Sequence, residues 1–583
     1  MKEFKVQFED GDGATVKTRL NEYAQLINIR NDWIPDAREV SDWLIPARGI
    51  FTANTRPKKR TLVSSKIVNP KGKQAFEVLV SALKEGITPS SRPWIDFKFA
   101  NRALRQIRPL NIWLSEAKEE MYSQLRRANF YQTITNFYKE SCAFGTASCG
   151  VNPGPKDTAL HFHVPTFGEF AVGTNDFNIV DRYYRTIYMN FWQLYKKFGD
   201  RLPIEMLEKL QQRDATLDFW YTVVEGVVPE RFMDMPFTRF YILQCESKSQ
   251  YDGGIKSKID PDNKYREFLG VEGCNEFPWP TVRFDVVSSD EYGIGPGMEA
   301  VQTIKRLQEV VKSGSIAYHK SIRPPLNVPV HMKGQVRTYP DALNYYVDPQ
   351  QIITPAYDTR FDHASAAQQE MSLDKILQEV FFNDVFLTAS RNPNASPLKA
   401  RQVDQIDSEK FIRLGPTLER FFYEGIMPIG IRSFNICSRA GKLPPLPEEY
   451  ANENLTLEVE LTSLLAQMMK SMAAIPVQDF LQLVGGVAQY RQEVMDIPDF
   501  DSIVYDYANI KGVNPAHMFS RGQVKSAREQ RAQTMQAQQQ KAEQAQMAVM
   551  QEEANANRAS AAKDMSEAGL NLTETLPMEG QLL

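Results

Sequence analysis

The chain has 583 residues, 42% hydrophobic and 24% charged, which is the balance of a globular protein with room for several domains. Its formal net charge of −4 excludes a surface that grips nucleic acid everywhere, so any meeting with DNA has to be local or loose. No run approaches the roughly 18 consecutive apolar residues of a membrane span, and the N-terminus carries no apolar signal segment, so the expectation is a protein made and folded in a cytosol without a membrane partner.

Residues 1–150 read as mostly helical. Trp33, Trp43 and Leu44 mark an early apolar face. Phe76, Leu79, Val80 and Leu83 recur at helical spacing until Gly86. Trp113, Ala117, Met121 and Leu125 mark another helix, continued after a break by Ile134, Phe137 and Tyr138. The Pro- and Ser-rich stretch 88–94 between them reads as a loop anchored by Trp94.

From about 147 to 290 the texture changes. Short β-branched and aromatic runs at 167–172, 221–228, 238–243 and 282–287 alternate with Gly, Pro, Asn and Asp. That is strand-and-turn chemistry and predicts an antiparallel sheet. Residues 191–198 read as a helical insert. The fold class expected is α+β, mainly helical.

The segment 297–389 organises the rest. A helix opens after Gly295-Pro296-Gly297 and carries Ala300, Ile304, Leu307, Val311, Gly314 and Tyr318 at spacings of four and three. Arg323-Pro324-Pro325 stops it. A Pro-broken excursion follows, read as a small β-rich lobe. A second helix then carries Leu373, Ile376, Val380 and Leu387 on a narrow arc of roughly 60°, with Glu370, Asp374 and Asp384 on a neighbouring arc of roughly 80°. Narrow apolar seams with a charged flank suit packing between copies of the chain, and equally an ordinary helical hairpin in a core.

Residues 390–397 (Ser-Arg-Asn-Pro-Asn-Ala-Ser-Pro) read as an exposed loop. Ser396 and Pro397 then open a long helix toward Gly441, kinked at Pro416 and Pro428. Leu443-Pro444-Pro445-Leu446-Pro447 reads as an extended linker. Residues 463–525 are helical with breaks at Pro476, Pro498 and Pro515. The Gln-, Ala- and Met-rich stretch 528–563 reads either as a weak helix ordered by association or as a disordered tail.

Tests for chemistry come back weak. The strand at 282–287, the glycines at 293, 295 and 297 and the following helix could present amides to a phosphate. The dinucleotide fingerprint, however, needs a small residue where Met298 stands and a second strand where helix follows. No Gly-x-x-x-x-Gly-Lys-Ser/Thr occurs, which excludes a P-loop motor. His161 and His163 lie near Cys142 and Cys149, and Asp358, Asp362 and His363 cluster, but neither set has metal-ligand spacing. Cys142, Cys149, Cys245, Cys274 and Cys437 are odd in number and scattered, which suits reduced thiols. No nucleophile elbow is present. The expectation is no enzyme, no cofactor and no metal. Arg391 and Lys399 flank the Asn- and Ser-bearing loop, a composition that touches phosphates without reading bases.

Several runs together resemble the head-to-tail connector (portal) proteins of short-tailed double-stranded DNA phages. They are Trp43-Leu44-Ile45-Pro46 with Arg48-Gly49-Ile50-Phe51, Thr88 through Trp94, Glu140 through Ala147, Tyr292-Gly293-Ile294-Gly295-Pro296-Gly297, Pro324-Pro325, Leu414-Gly415-Pro416 with Glu419-Arg420, and Gly441-Lys442-Leu443-Pro444. Their order and spacing cover the chain to about residue 525.

The resemblance implies a ring, a dodecamer, at one capsid vertex of the virion, assembled in the host cytoplasm. It implies a wing (1–296 and 398–462), stem helices (297–321 and 364–389) around a clip (322–363), a channel loop (390–397), a crown (463–527) and a Gln-rich barrel or tail (528–583). It implies as partners other copies of the chain, the major capsid protein and scaffold, the terminase large subunit, a tail adaptor, and double-stranded DNA passing without sequence reading. Another tail or internal core protein of a phage is the alternative. Channel candidates are then Arg391, Asn392, Asn394, Lys399, Glu370, Asp374 and Asp384. Subunit-interface candidates are Ile304, Leu307, Val311, Leu373, Ile376 and Val380. One departure stands out: Lys399 occupies a place where the family pattern has an acidic residue.

Overall fold

The computed structural model describes residues 12–46, 67–155, 158–202, 207, 220–232, 234–246, 268–345, 348, 352–356, 362–383, 415–450, 456–462, 475–488, 490–511, 519 and 521–572. They fall in two compact units, Met1–Gln478 and Asp479–Leu583. The architecture is α+β and mainly helical, with antiparallel sheets.

Four helices open the first unit: α1 (Asp12–Leu44), α2 (Lys71–Ile87), α3 (Arg108–Arg127) and α4 (Phe130–Phe144). Each follows from the spacing of its apolar residues. In α2, Phe76, Leu79, Val80 and Leu83 share one buried face. Gly86 does not stop α2, which runs one residue further to Ile87. In α3, Leu114, Ala117, Met121 and Leu125 do the same. α1 serves two cores: Val16, Leu20 and Tyr23 pack toward a β-sheet, and Ala37, Val40 and Leu44 join the main helical core.

That sheet is a five-stranded antiparallel array in the order β5 (Phe170–Thr174), β6 (Val180–Asn190), β7 (Trp220–Val228), β8 (Phe237–Glu246) and β9 (Phe268–Cys274). The short helix α5 (Phe191–Phe198) inserts between β6 and β7. Asn190 and Gln193 form a capping box that fixes its start. The sequence carries no clear strand signal for β6, because almost every residue along it is half-buried on both faces, and the period-2 alternation is blurred.

The sequence reading also names no strand at Gly150–Pro153, Leu160–His163, β9, Leu457–Leu461 or β1 (Ile95–Phe99), the last in the region expected to be helical. It pairs antiparallel with β13 (Leu457–Leu461), Ile95 opposite Leu461. Its partner comes from near the other end of the unit's sequence, so no local pattern announces it. Two further small pairs are β2 (Thr146–Ser148) with β10 (Thr281–Arg283), and β3 (Gly150–Pro153) with β4 (Leu160–His163).

The sheet encloses a buried ionic knot. Glu225 on β7 is fully buried between Arg185 on β6 and Arg239 on β8. Arg185 lies 4.3 Å from the Trp279 ring centre, and Tyr183 stacks on the same ring at 4.6 Å. Burial pushes the Glu225 carboxyl up, but the two guanidinium charges outweigh it and hold the group at about 2.

Two long helices follow: α6 (Pro296–Ile322) and α7 (His363–Val380). α6 ends before Arg323-Pro324-Pro325, where the chain loses its hydrogen-bond donors. The excursion between them corrects the expectation of a β-rich lobe. Among the described residues it holds a single two-residue pair, β11 (Leu326–Asn327) with β12 (Thr354–Pro355), and one 3-10 turn, Val330–Met332. Its prolines and glycine interrupt any longer ladder.

Farther on, the described residues from 415 are helical and contain a π-helical turn, Phe421–Ile426, that leads into α8 (Met427–Arg439). The turn lies just before Pro428, where the sequence led to an expected kink: a proline lacks the N–H of a regular ladder, and the wider turn absorbs the defect. The Pro-rich strap 443–447 runs beside α3, where Trp113 Nε1 donates to the Pro444 carbonyl at 3.0 Å.

The second unit contains most of α9 (Ile475–Ala488), a 3-10 turn Gln492–Asp496, α10 (Phe500–Lys511) and α11 (Arg521–Leu572). The Gln-rich stretch resolves in favour of helix: α11 is continuous over 52 residues, about 78 Å at 1.5 Å per residue. Its side chains from Lys525 to Ser566 are all exposed.

Candidate functional site

The predicted site residues divide into those the chain packs inside itself, those on its surface and those outside the described residues. Ile304, Leu307 and Leu373 lie in the main core of a single chain. As subunit-interface candidates they are spent on internal packing: α6 and α7 pack on each other, α6 also on α1, α4 and α2, and α7 on α2. Val311 and Val380 are half-buried against the same core, and Ile376 remains exposed. The seam read from the sequence is therefore largely the root of a helical hairpin in its own domain.

Glu370 and Asp374 do not stand free on an acidic wall. Both face Lys71 at the start of α2, at 3.5 and 3.4 Å. Glu370 also accepts a 2.9 Å hydrogen bond from the Asn69 amide. Asp384, Leu387, Arg391, Asn392, Asn394, Lys399 and the loop 390–397 lie outside the described residues.

Sequence reasoning missed Gln308, which holds this root together. Its Oε1 accepts from the backbone N–H of Val68 and of Asn69, both at 2.8 Å. Its Nε2 donates to the Asn69 carbonyl at 2.7 Å. One buried amide thus satisfies three backbone groups of the segment that enters α2. Asn69 in turn reaches Glu370, so the entry to α2 is tied to both long helices. The signal was a polar residue set on the apolar stripe between Ile304 and Val311.

The Gly-rich run before α6 answers the phosphate question. A Cβ on Gly145 would fall 2.1 Å from the Gly293 carbonyl, and Gly145 has φ +72°. A Cβ on Gly295 would fall 2.6 Å from the Gly145 nitrogen, and one on Gly297 2.7 Å from the Ala143 carbonyl. Gly293 N–H donates to the Thr146 hydroxyl at 2.8 Å. These glycines let the start of α6 press backbone-to-backbone against the end of α4. The space an anion would need is occupied by protein.

Among the described residues no three His, Cys, Asp or Glu side chains are grouped to hold a metal. Asp362 instead caps α7 by accepting from the Ala364 and Ser365 N–H groups. His163 packs edge-on to Trp279 at 6.3 Å. Cys142, Cys149, Cys274 and Cys437 are free and buried.

One set of exposed apolar groups lies on the outer half of the α6–α7 hairpin and its lobe: Ile316, Tyr318, Ile322 and Leu343 are exposed, and Val330 and Tyr345 are more than 80% accessible. The lobe also encloses a groove of about 600 Å³ lined by Ile322, Leu326, Met332, Tyr345 and Ile353. A lone chain that leaves this much apolar surface open is built to be covered. No helix among the described residues is long and apolar enough to cross a membrane.

Relatives give the arrangement a context. The chain is 29% identical over 527 residues to a protein named "Probable portal protein" from Bordetella phage BPP-1, spanning 89% of this chain and 92% of that one. It is 27% identical over 531 residues to the "Portal protein" of Salmonella phage epsilon15, spanning 90% and 92%. Among solved structures it is similar to a chain from the virion of a native gene transfer agent particle, at 9% identity and TM-score 0.32 over 77% of this chain and 95% of that one; at that score the superposition decides nothing about shape. Residues 16–518 match the family model described as bacteriophage head to tail connecting protein, and the chain belongs to that family.

Proposed function

We propose that this chain is one subunit of a portal: a ring at one vertex of a phage capsid through which the genome is packaged and later ejected. The observation that carries the reading is the family match across 16–518 together with two relatives named portal proteins over about nine-tenths of the chain. The ring has twelve copies. It sits in the major capsid protein shell with scaffold present during assembly in the host cytoplasm. It docks the terminase large subunit during packaging and a tail adaptor afterwards. The chain is a conduit and catalyses nothing.

In this reading residues 1–296 and 398–462 form the wing, 297–321 and 364–389 the stem, 322–363 the clip, 390–397 the channel loop, 463–527 the crown and 528–583 a helical barrel. The open apolar surface of the hairpin's outer half supports burial against neighbouring copies. The acidic wall is revised. With Glu370 and Asp374 sharing Lys71, the exposed face of α7 is Gln368, Gln369, Ser372 and Gln378 beside the Lys375–Glu379 pair, with Met371 and Ile376 exposed among them. A face without surplus positive charge neutralises no phosphates, so it adds no counterion-release affinity and lets DNA slide.

The test is the mass of the purified chain at micromolar concentration. Native mass spectrometry should give an assembly of twelve chains. A monodisperse monomer would overturn the reading.

A further inference from the structure

The five-stranded sheet has one closed edge and one open edge. At the β5 edge the Val172 N–H donates to the buried Tyr292 hydroxyl at 3.2 Å. At the other end, no described strand pairs with the outer side of β9. Little on β9 blunts that edge. It carries no proline and no lysine, and its one bulge lies at Leu269, so Gly270 to Cys274 pair with β8 in unbroken register. A row of backbone donors and acceptors left open in this way is a template for another strand.

α1 starts where this edge is, because it crosses the sheet strand by strand. Leu26 lies against Gly173 on β5. Glu22 and Tyr23 meet Tyr184 and Thr186 on β6. Arg19 pairs with Glu230, just past the end of β7. Val16 sits in one apolar cluster with Phe240 of β8. From β5 to β9 is four strand spacings, roughly 19 Å, and about 13 residues of helix cover the same distance. Counted back from Leu26, the first turn of α1 therefore stands over β9.

The chain ahead of α1 has the pattern of a strand. Residues 1–11 lie outside the described residues. Their sequence sets Phe4, Val6 and Phe8 in strict alternation with Lys5, Gln7 and Glu9, the period of a half-buried strand. Asp10-Gly11 is then a turn signal directly before α1. With so short a link, the end of such a strand stays within about 10 Å of the start of α1, and the open edge is what lies there. Phe268 and Val271 on the α1 side of β9 are only half-buried, so apolar partners have a place beside them. The connection from β8 to β9, residues 247–267, offers no rival: it contains Asp252-Gly253-Gly254 and Asp260-Pro261-Asp262 and no alternating apolar run.

We infer that residues 3–9 add to β9 of their own chain as a sixth strand and close the sheet. Main-chain hydrogen bonds hold the strand, and Phe4, Val6 and Phe8 lie on the side of Phe268 and Val271. The inference stands apart from the ring reading. Its consequence is specificity, because a closed edge removes a surface through which two copies pair edge to edge.

Two measurements on the full chain test it. The first is hydrogen exchange of the β9 amides in the unsubstituted protein, in Val6→Pro and in Gln7→Pro. Successive N–H groups of a strand point to opposite sides, so one of the two prolines removes a donor facing β9 whatever the register. In that variant, amides within 270–274 should exchange at least tenfold faster, while those of β7 keep their protection. Both positions precede α1, so the described fold is left in place. The second is a photo-crosslink from Phe4→benzoylphenylalanine. Light should join it to β9, and the product should run at the mass of one chain under denaturing conditions. Unchanged exchange in both proline variants overturns the inference, as does a crosslink map without β9. Covalent dimers would give the strand to another copy and overturn it as well.

Discussion

The Arg283 guanidinium lies 2.8 Å from the Glu424 carboxylate, and Arg283 N–H donates to the same carboxylate at 2.9 Å. One residue of a three-residue strand is thereby tied twice to the irregular turn of a helix far along the chain. Arg283 is almost fully buried, so its charge is affordable only with that partner.

Arg283→Ala should therefore lower stability by about 3 kcal/mol or more, since it strands a half-buried carboxylate and frees the β5–β6 turn. Glu424→Gln keeps the shape and should cost less. Chemical unfolding followed by tryptophan fluorescence measures both. Equal midpoints for Arg283→Ala and the unsubstituted chain would show the pair to be idle.

The glycines before α6 make a sharper contrast. Gly145→Ala or Gly295→Ala puts a methyl into backbone at 2.1 or 2.6 Å, and neither variant should give soluble protein. Gly199→Ala meets open space but must hold φ +55° with ψ −126°, a conformation nearly reserved for glycine, so it should still fold at a cost of about 2–3 kcal/mol from backbone strain. Soluble yield and thermal midpoint of the three variants check this.

Gln308→Leu fits the apolar surroundings but removes the partner of Val68 N–H, Asn69 N–H and the Asn69 carbonyl. Each buried backbone group left unpaired costs about 1–3 kcal/mol. Hydrogen exchange at residues 68 and 69 should accelerate sharply in this variant while the amides of β7 keep their protection. Unchanged exchange at those two residues would show that Gln308 ties nothing.

Acid should act through Glu225. Its folded-state pKa of about 2 lies below the ordinary carboxylate value of 4.5. A group depressed on folding contributes stability that is present above its unfolded pKa and is lost as pH falls through the folded one. The contribution, about 3 kcal/mol, should thus fade between pH 4.5 and 2. Glu225→Gln should flatten that part of the stability–pH curve while lowering stability at pH 7.

Much of this fold was legible because its signals are local. The apolar spacings of α2, α3, α4 and α6, the bounds of α5 and the stop at Pro324 can each be read within a turn or two. What escaped depends on distant partners. β1 needs Leu457–Leu461 to exist as a strand, and β6 is half-buried along its length. The two-residue pair in the lobe leaves little for a pattern to show. The site was less legible than the fold. A stripe such as Ile304, Leu307 and Leu373 marks a buried face, but whether it is buried by the same chain or another is not encoded in spacing. Likewise Glu370 and Asp374 share a charged arc, and only the fold shows that Lys71 meets them. Gln308 was visible as a polar break in that stripe.

The central claim is that this chain builds a hollow ring. Electron microscopy of the purified protein tests it most directly. The account predicts end-on views of a closed annulus with twelve-fold repeat and an open central channel wide enough for a DNA duplex. Solid particles, open filaments or isolated single chains in those images would contradict it.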